Sequence, residues 1–174
     1  PLNTKEIIAK SKKKINIDFF QKDTLNIVNV GRYVDQKDQI TLLRAINNLK
    51  NKIKIRLVIM GKGGLKKNLL NYIFNNNLQK IVKLTNFTDN PYALINKAEL
   101  FILTSKYEGL PNVLLEALAL KKFIISSDCP TGPKEILLNG KGGLLFKTGN
   151  YNSLERKIIY YTDNKKKCRK MLKN

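Results

Sequence analysis

The sequence predicts a doubly wound, Rossmann-like α/β domain with about six parallel strands in one sheet and helices on both of its faces. Short β-branched runs alternate with longer amphipathic stretches along the chain. The strand-like runs are almost continuously apolar, as in a sheet covered on both sides, and do not alternate as a half-solvated sheet would. At 174 residues and 43% hydrophobic, the chain suffices for one packed core and is too apolar for a disordered or fibrous one.

A polar, lysine-rich helix over about residues 3–14 opens the order, within a connector spanning residues 1–22. The domain proper covers 23–163. Strands are predicted at Asn26–Val30, Arg56–Met60, Ile81–Leu84, Leu100–Leu103, Phe123–Ser126 and Gly143–Phe146. Between them, helices fit Asp38–Leu49, Leu65–Asn75, Pro91–Lys97, Asn112–Leu120, Pro133–Asn139 and Asn152–Thr162. Leu42, Leu43, Ala45, Ile46 and Leu49 illustrate the three- and four-residue spacing that marks one helical face. Residues 164–174, with Lys165, Lys166, Lys167, Arg169, Lys170 and Lys173 and no acid, suit a solvated basic tail or contact with an anionic surface. A chain that opens at Pro1 into such a connector is expected to be a piece of a longer protein.

Composition removes several chemistries. Without histidine there is no Ser-His-Asp or Cys-His nucleophile, no imidazole acid or base and no histidine-ligated metal. Cys129 and Cys168 have neither metal-ligand spacing nor the density of a disulfide scaffold, so they are expected as reduced thiols in a cytoplasmic setting. No apolar run approaches the ~20 residues of a membrane-spanning helix, and no charged-then-apolar signal pattern is read in these residues. The formal charge is +20, and residues 39–88 hold no acidic side chain. That charge is either a compositional bias or the mark of an anionic partner: a phosphate-bearing ligand, a membrane surface or nucleic acid.

In a doubly wound sheet, ligands sit beyond the carboxyl ends of the strands, so the turns there hold the candidate site. Gly31, Arg32 and Lys37 lie in VGRYVDQKD after the first strand, where a glycine admits close approach and two cations suit a diphosphate. Gly61 opens a GKGG turn after the second strand, a weak anion-binding signal when taken alone. The segment TSKYEGLPNVLLEALAL combines Glu108, Gly109, a Pro111 expected at the first helical position and Glu116 inside the helix. The amides of Asn112 and Val113 would then be free for a phosphate, and Glu116 could accept from vicinal hydroxyls. Two carboxylates also suit glycoside hydrolysis. That reaction gives no reason for Arg32, Lys37 or the helix start.

From about Asn26 onward the chain resembles the nucleotide-binding, C-terminal half of retaining glycosyltransferases of family four, which set two Rossmann-like domains across a cleft, the GT-B fold. The resemblance rests on VGRYVDQKD, LVIMGKGG, SKYEGLPNVLLEALA with its E-x7-E, and SDCPTGPKEIL followed by GKGGLLF, all in the family's order. It implies that Arg32 and Lys37 bind the donor diphosphate, that Glu108 meets hydroxyls of the donor sugar and that Glu116 holds the ribose. Gly31, Gly109, Leu110, Pro111, Asn112 and Val113 would border phosphate and sugar, Pro111 without an N–H. Gly61 and the loop Thr85–Phe87, including Asn86, would flank the base.

The SDCPTGPKEI variant is similar to that of bacterial enzymes building surface polysaccharides and glycan precursors, often from UDP-hexoses or UDP-N-acetylhexosamines. The implied partners are a nucleotide diphosphate sugar, a saccharide or lipid-linked acceptor, the protein's own N-terminal domain and a peripheral contact at the cytoplasmic face of the membrane, with no specific nucleic acid. No metal and no cofactor is implied. Two alternatives stand beside this reading: a module that binds nucleic acid or an anionic surface, and a sugar-nucleotide epimerase of the same architecture.

Overall fold

The computed structural model describes residues 2–172. Pro1, Lys173 and Asn174, predicted to belong to the connector and the basic tail, lie outside the described residues. Six strands, β1 Leu25–Val30, β2 Ile55–Gly61, β3 Val82–Asn86, β4 Leu100–Leu103, β5 Phe123–Ser127 and β6 Leu144–Phe146, form one sheet. Their order is β3-β2-β1-β4-β5-β6, and every pairing is parallel. This is the predicted doubly wound architecture. Predicted strand ends fall within two residues of those observed.

Among the described residues, eight α-helices accompany the sheet: α1 Thr4–Ser11, α2 Gln39–Leu49, α3 Lys66–Asn75, α4 Pro91–Lys97, α5 Asn112–Ala119, α6 Pro133–Ile136, α7 Tyr151–Asp163 and α8 Lys165–Met171. Successive residues of a strand point to opposite faces, and β1 shows how both become apolar. Ile27 belongs to the apolar layer built with α2, α3, α7 and α8, whereas Val28 and Val30 belong to the one built with α1, α4 and α5. Both layers exclude water, so the polar groups that remain concentrate at the two ends of the sheet.

The predicted helix Pro133–Asn139 is shorter than expected. It stops at Ile136, and a 3-10 turn over Leu138–Gly140 follows with Leu138 and Asn139 in the left-handed region. The buried Leu137 fixes the break, because its carbonyl accepts from both Gly140 and Gly142.

The run beginning at Asn164 is not a solvated tail. Residues 165–171 form α8, whose Cys168 is fully buried in the core beside α7. Glu99 at the start of β4 accepts from the Tyr161 hydroxyl at 2.9 Å and pairs with Lys165 at 2.8 Å. The Tyr161 ring stacks on Phe123 at 5.0 Å. A run of lysines masks one apolar face here, for Cys168, Met171 and Leu172 all pack inward while the cations stay wet. Cys129 and Cys168 are unpaired thiols. Replacement Cys168→Asp would bury an unpaired carboxylate and is expected to cost about 2–4 kcal/mol of stability. Thermal unfolding checks this, and an unchanged midpoint would mean that α8 is detached in solution.

Candidate functional site

Strand β1 pairs with β2 on one side and β4 on the other, and the chain leaves these neighbours in opposite directions. The helices that follow β1 and β4 therefore lie on opposite faces of the sheet, and a crevice forms at the switch point. A cleft of about 470 Å³ occupies it. Of the residues singled out in the sequence, Gly31, Arg32, Lys37, Gly61, Glu108, Leu110, Pro111, Asn112, Val113 and Glu116 line this cleft. Asn86 and Gly109 do not line it. Asn86 instead accepts from the Lys66 ammonium at 3.0 Å, and Gly109 is exposed.

The floor of the cleft is held by Tyr33. Its buried phenol lies 2.6 Å from the Thr85 carbonyl and 2.9 Å from that of Ile59, so one hydroxyl pins the β1 loop to the ends of β2 and β3. Burial pushes this phenol up to about 12, which keeps it protonated and donating. Gly61 is required by this closeness: a Cβ there would stand 2.0 Å from the Gly31 carbonyl oxygen.

The loops after β1 and β4 are tied together residue by residue. Lys106 pairs with Asp35 at 2.6 Å, Gln36 donates to the Tyr107 carbonyl at 2.9 Å, and Lys37 meets Glu108 at 2.5 Å. Below these, Thr104 donates to the Lys37 carbonyl at 2.8 Å. The Glu108 carboxylate also accepts from Ser105 at 2.5 Å. Lys37 and Glu108 have side-chain exposures of only 17% and 7%, so each neutralises the other where water cannot. Arg32 is exposed at the rim and pairs with no carboxylate among the described residues. Of the two predicted phosphate cations, only Arg32 is uncommitted.

Pro111 is the N-cap of α5 and not its first helical residue, with φ −74° and ψ 84°. That is close to an inverse γ-turn, and the Asn112 N–H accordingly donates to the Leu110 carbonyl at 2.9 Å. The expectation of a free Asn112 amide is thus corrected. The Val113 N–H has no partner among the described residues and remains available at the helix start. Gly132 closes over this turn at φ +90°, where a Cβ would lie 2.5 Å from the Pro111 ring.

Glu116 projects from the first turns of α5 into the cleft and accepts from the Tyr92 hydroxyl at 3.4 Å. Burial raises its pKa, and the Tyr92 hydrogen bond opposes that rise. Tyr92, Asp89 and Lys62 also line the cleft. Tyr92 and Asp89 were not predicted: Tyr92 resembles a helix-surface residue in sequence, and no motif marks Asp89. Their only signal was the position of DNPY just beyond a strand end.

A parallel sheet of this order, with cations and carboxylates converging at its switch point, defines a doubly wound, Rossmann-like domain with a crevice suited to a ligand. The sequence model of the family Glycosyl transferases group 1 matches residues 10–174, and the chain belongs to that family. It is 40% identical over 117 residues to an uncharacterized glycosyltransferase of Methanocaldococcus jannaschii, covering 67% of this chain and 29% of that protein. It is 39% identical over 128 residues to the Campylobacter jejuni N-acetylgalactosamine-N,N'-diacetylbacillosaminyl-diphospho-undecaprenol 4-alpha-N-acetylgalactosaminyltransferase, covering 74% of this chain and 34% of that enzyme. The fold matches that of Anabaena HepE, solved in complex with UDP, with a TM-score of 0.79 at 20% identity over 86% of this chain and 42% of HepE. The chain spans about a third of the length of the curated relatives it matches.

Two outcomes are expected from this geometry. Lys37→Met or Glu108→Gln alone leaves one buried charge unpaired and is expected to cost about 2–3 kcal/mol, whereas the double replacement costs less than the worse single one. Chemical denaturation of the four proteins measures the difference.

Glu116 gives a pH dependence. Its raised pKa means that folding favours the protonated form, so its stabilising contribution is complete below the ordinary value of 4.5 and is lost as pH rises through the folded value. Above the folded value the native state holds a carboxylate in an unfavourable place. Glu116→Gln is expected to raise the melting midpoint at pH 7 by about 2 °C, with the gain shrinking toward acid. Melting curves across pH check it.

Proposed function

We propose that this chain is the donor-binding half of a retaining glycosyltransferase. In this reading the enzyme moves a hexose or N-acetylhexosamine from a nucleotide diphosphate sugar, with UDP as the nucleotide, to a saccharide or lipid-linked acceptor during surface polysaccharide or glycan assembly. The observation that carries the proposal is the convergence of Arg32, Lys37, Glu108, Glu116 and the Val113 amide on one cleft at the switch point. The diphosphate would lie against Arg32, Lys37 and the start of α5, where cations and an unpaired N–H favour negative charge. Glu108 would meet the sugar hydroxyls and Glu116 the ribose. UDP is supported by the HepE complex, and the acceptor class by the name of the Campylobacter enzyme.

Catalysis is then electrostatic. As the bond from the sugar to the diphosphate lengthens, charge grows on the departing phosphate, and preorganised cations stabilise that charge more than they stabilise the bound donor. These side chains take the part that a divalent metal plays elsewhere, and the proposal includes neither metal nor cofactor. The acceptor adds on the face the phosphate leaves, which retains the configuration. Glu108 is held by Lys37 and Ser105, an arrangement that suits a hydroxyl acceptor better than a covalent nucleophile. Acceptor recognition and any general base fall to the protein's own N-terminal domain, at the cytoplasmic face of the membrane.

In the full-length enzyme, Arg32→Ala is expected to lower kcat/KM by about two to three orders of magnitude, and a loss of less than about fivefold would refute its role. Calorimetric titration of the isolated chain with UDP, and with duplex DNA at two salt concentrations, tests the broader reading. Saturable UDP binding supports it; salt-labile DNA binding alone overturns it.

A further inference from the structure

The loop between β5 and α6, residues 128–132, belongs to the SDCPTGPKEIL motif, yet none of its residues lines the cleft. It carries the one β-branched side chain that is held at positive φ among the described residues, Thr131 at +58°, followed by Gly132 at +90°. The other non-glycine residues in that region are Asp, Asn, Lys and Leu, and a β-branched residue rarely enters it because its Cβ substituents crowd the backbone. Thr131 is exposed, so no core packing compels this conformation. What its side chain meets is the backbone of Glu108, whose carbonyl accepts from the Thr131 hydroxyl.

Both ends of this loop are fixed. At its start the buried Ser127 hydroxyl donates to the Ser105 carbonyl at 2.7 Å, and the Asp128 N–H donates to the Phe146 carbonyl at 2.8 Å. At its end the Gly132 N–H donates to the Glu135 carboxylate at 2.7 Å, and a Cβ on Gly132 would stand 2.6 Å from the Gly109 carbonyl oxygen. The Glu108 side chain, by contrast, is held at a single point: Lys37 and Ser105 both bond Oε1, and Oε2 has no hydrogen-bond partner among the described residues. With one oxygen anchored, the direction of the other depends on where the backbone of residue 108 stands. Gly109 beside it adds no restraint through a side chain, and a Cβ there would meet nothing within 4 Å.

We propose, resting on the reading of Glu108 as the contact to the donor sugar, that Thr131 is a positioning residue: it is kept in the left-handed region so that its hydroxyl holds the Glu108 backbone and thereby aims Oε2 at the sugar hydroxyls. Strain of this kind persists only where the surroundings over-determine it, and here they do so from both ends of the loop. A carboxylate aimed before the ligand arrives forms its hydrogen bond without a further ordering cost. No hydrogen bond joins the loop to Arg32, Val113 or Glu116 among the described residues. The sugar and nucleotide parts of the crevice therefore respond separately to changes at Thr131.

The test is calorimetric titration of the full-length protein, wild type and the variants Thr131→Val, Thr131→Gly and Thr131→Ser, with UDP and with UDP-glucose, UDP-galactose and their N-acetylamino counterparts. Thr131→Val and Thr131→Gly are expected to bind the preferred sugar nucleotide about tenfold more weakly, the scale of one hydrogen bond to a charged group, and to bind UDP within about twofold of wild type. Thr131→Ser keeps the hydroxyl and is expected to retain the wild-type affinity for both. In melting curves Thr131→Gly is expected to unfold above Thr131→Val, because both lack the hydroxyl and only glycine takes positive φ freely. Valine and glycine variants that bind both ligands as wild type does, or that lose both equally, overturn the assignment, as does a glycine variant that melts at or below the valine one. A wild-type protein that binds neither UDP nor any of the sugar nucleotides overturns the donor reading itself, and the assignment with it.

Discussion

The placement of β1 between β2 and β4 governs the rest of the molecule. Parallel pairing on both sides leaves every residue of β1 but Asn26 buried, and it obliges the chain to cross to opposite faces on either side of it. The helices after β1 and β4 then leave toward opposite faces at one end of the sheet, and a crevice exists there whatever residues fill it. Sequence decides only what lines it. Asn29, buried in the middle of β1, strengthens this junction by donating to the Ile102 carbonyl of β4 at 2.8 Å.

Two kinds of restraint convert that crevice into a shaped site. Tyr33 and Gly61 fix the β1 loop against β2 and β3 by a buried hydroxyl and by the absence of a side chain. The ladder of contacts Asp35 with Lys106, Gln36 with Tyr107 and Lys37 with Glu108 fixes the same loop against the one after β4. Each restraint spends a residue that sequence alone would place among ligand contacts or solvated loop. The crevice therefore joins four strand ends into one preorganised wall, which is the condition for an electrostatic site to act without rearranging.

Much of this was legible in the sequence, and the remainder was hidden for definite reasons. Apolar runs such as Leu100–Leu103 and helical spacing such as Leu42, Ile46 and Leu49 carry strong periodic signals because they face a core. The crevice residues could be located because strand ends and the E-x7-E segment coincide. What Pro111 does could not: residue type permits either the first helical position or the cap, and the choice depends on Gly132 packing against its ring from a distant loop. Tyr92 and Asp89 enter the site only through the packing of α4. The lysines of α8 outweigh Cys168, Met171 and Leu172 in any composition average, although those three decide where the helix lies.

The pairing of Lys37 with Glu108 has a consequence for selectivity. In a protein of charge +20, the most sheltered cation of the crevice presents almost no net field, because its counter-ion is already in place. An ion that offers only negative charge must take Lys37 from Glu108 and leave a bare carboxylate behind, so free phosphate gains little there. A molecule that brings an anion and a hydroxyl together can divide the pair and satisfy both halves in one step. On the proposed reading, the crevice would thus favour a ligand that carries both chemical groups over one that carries either alone.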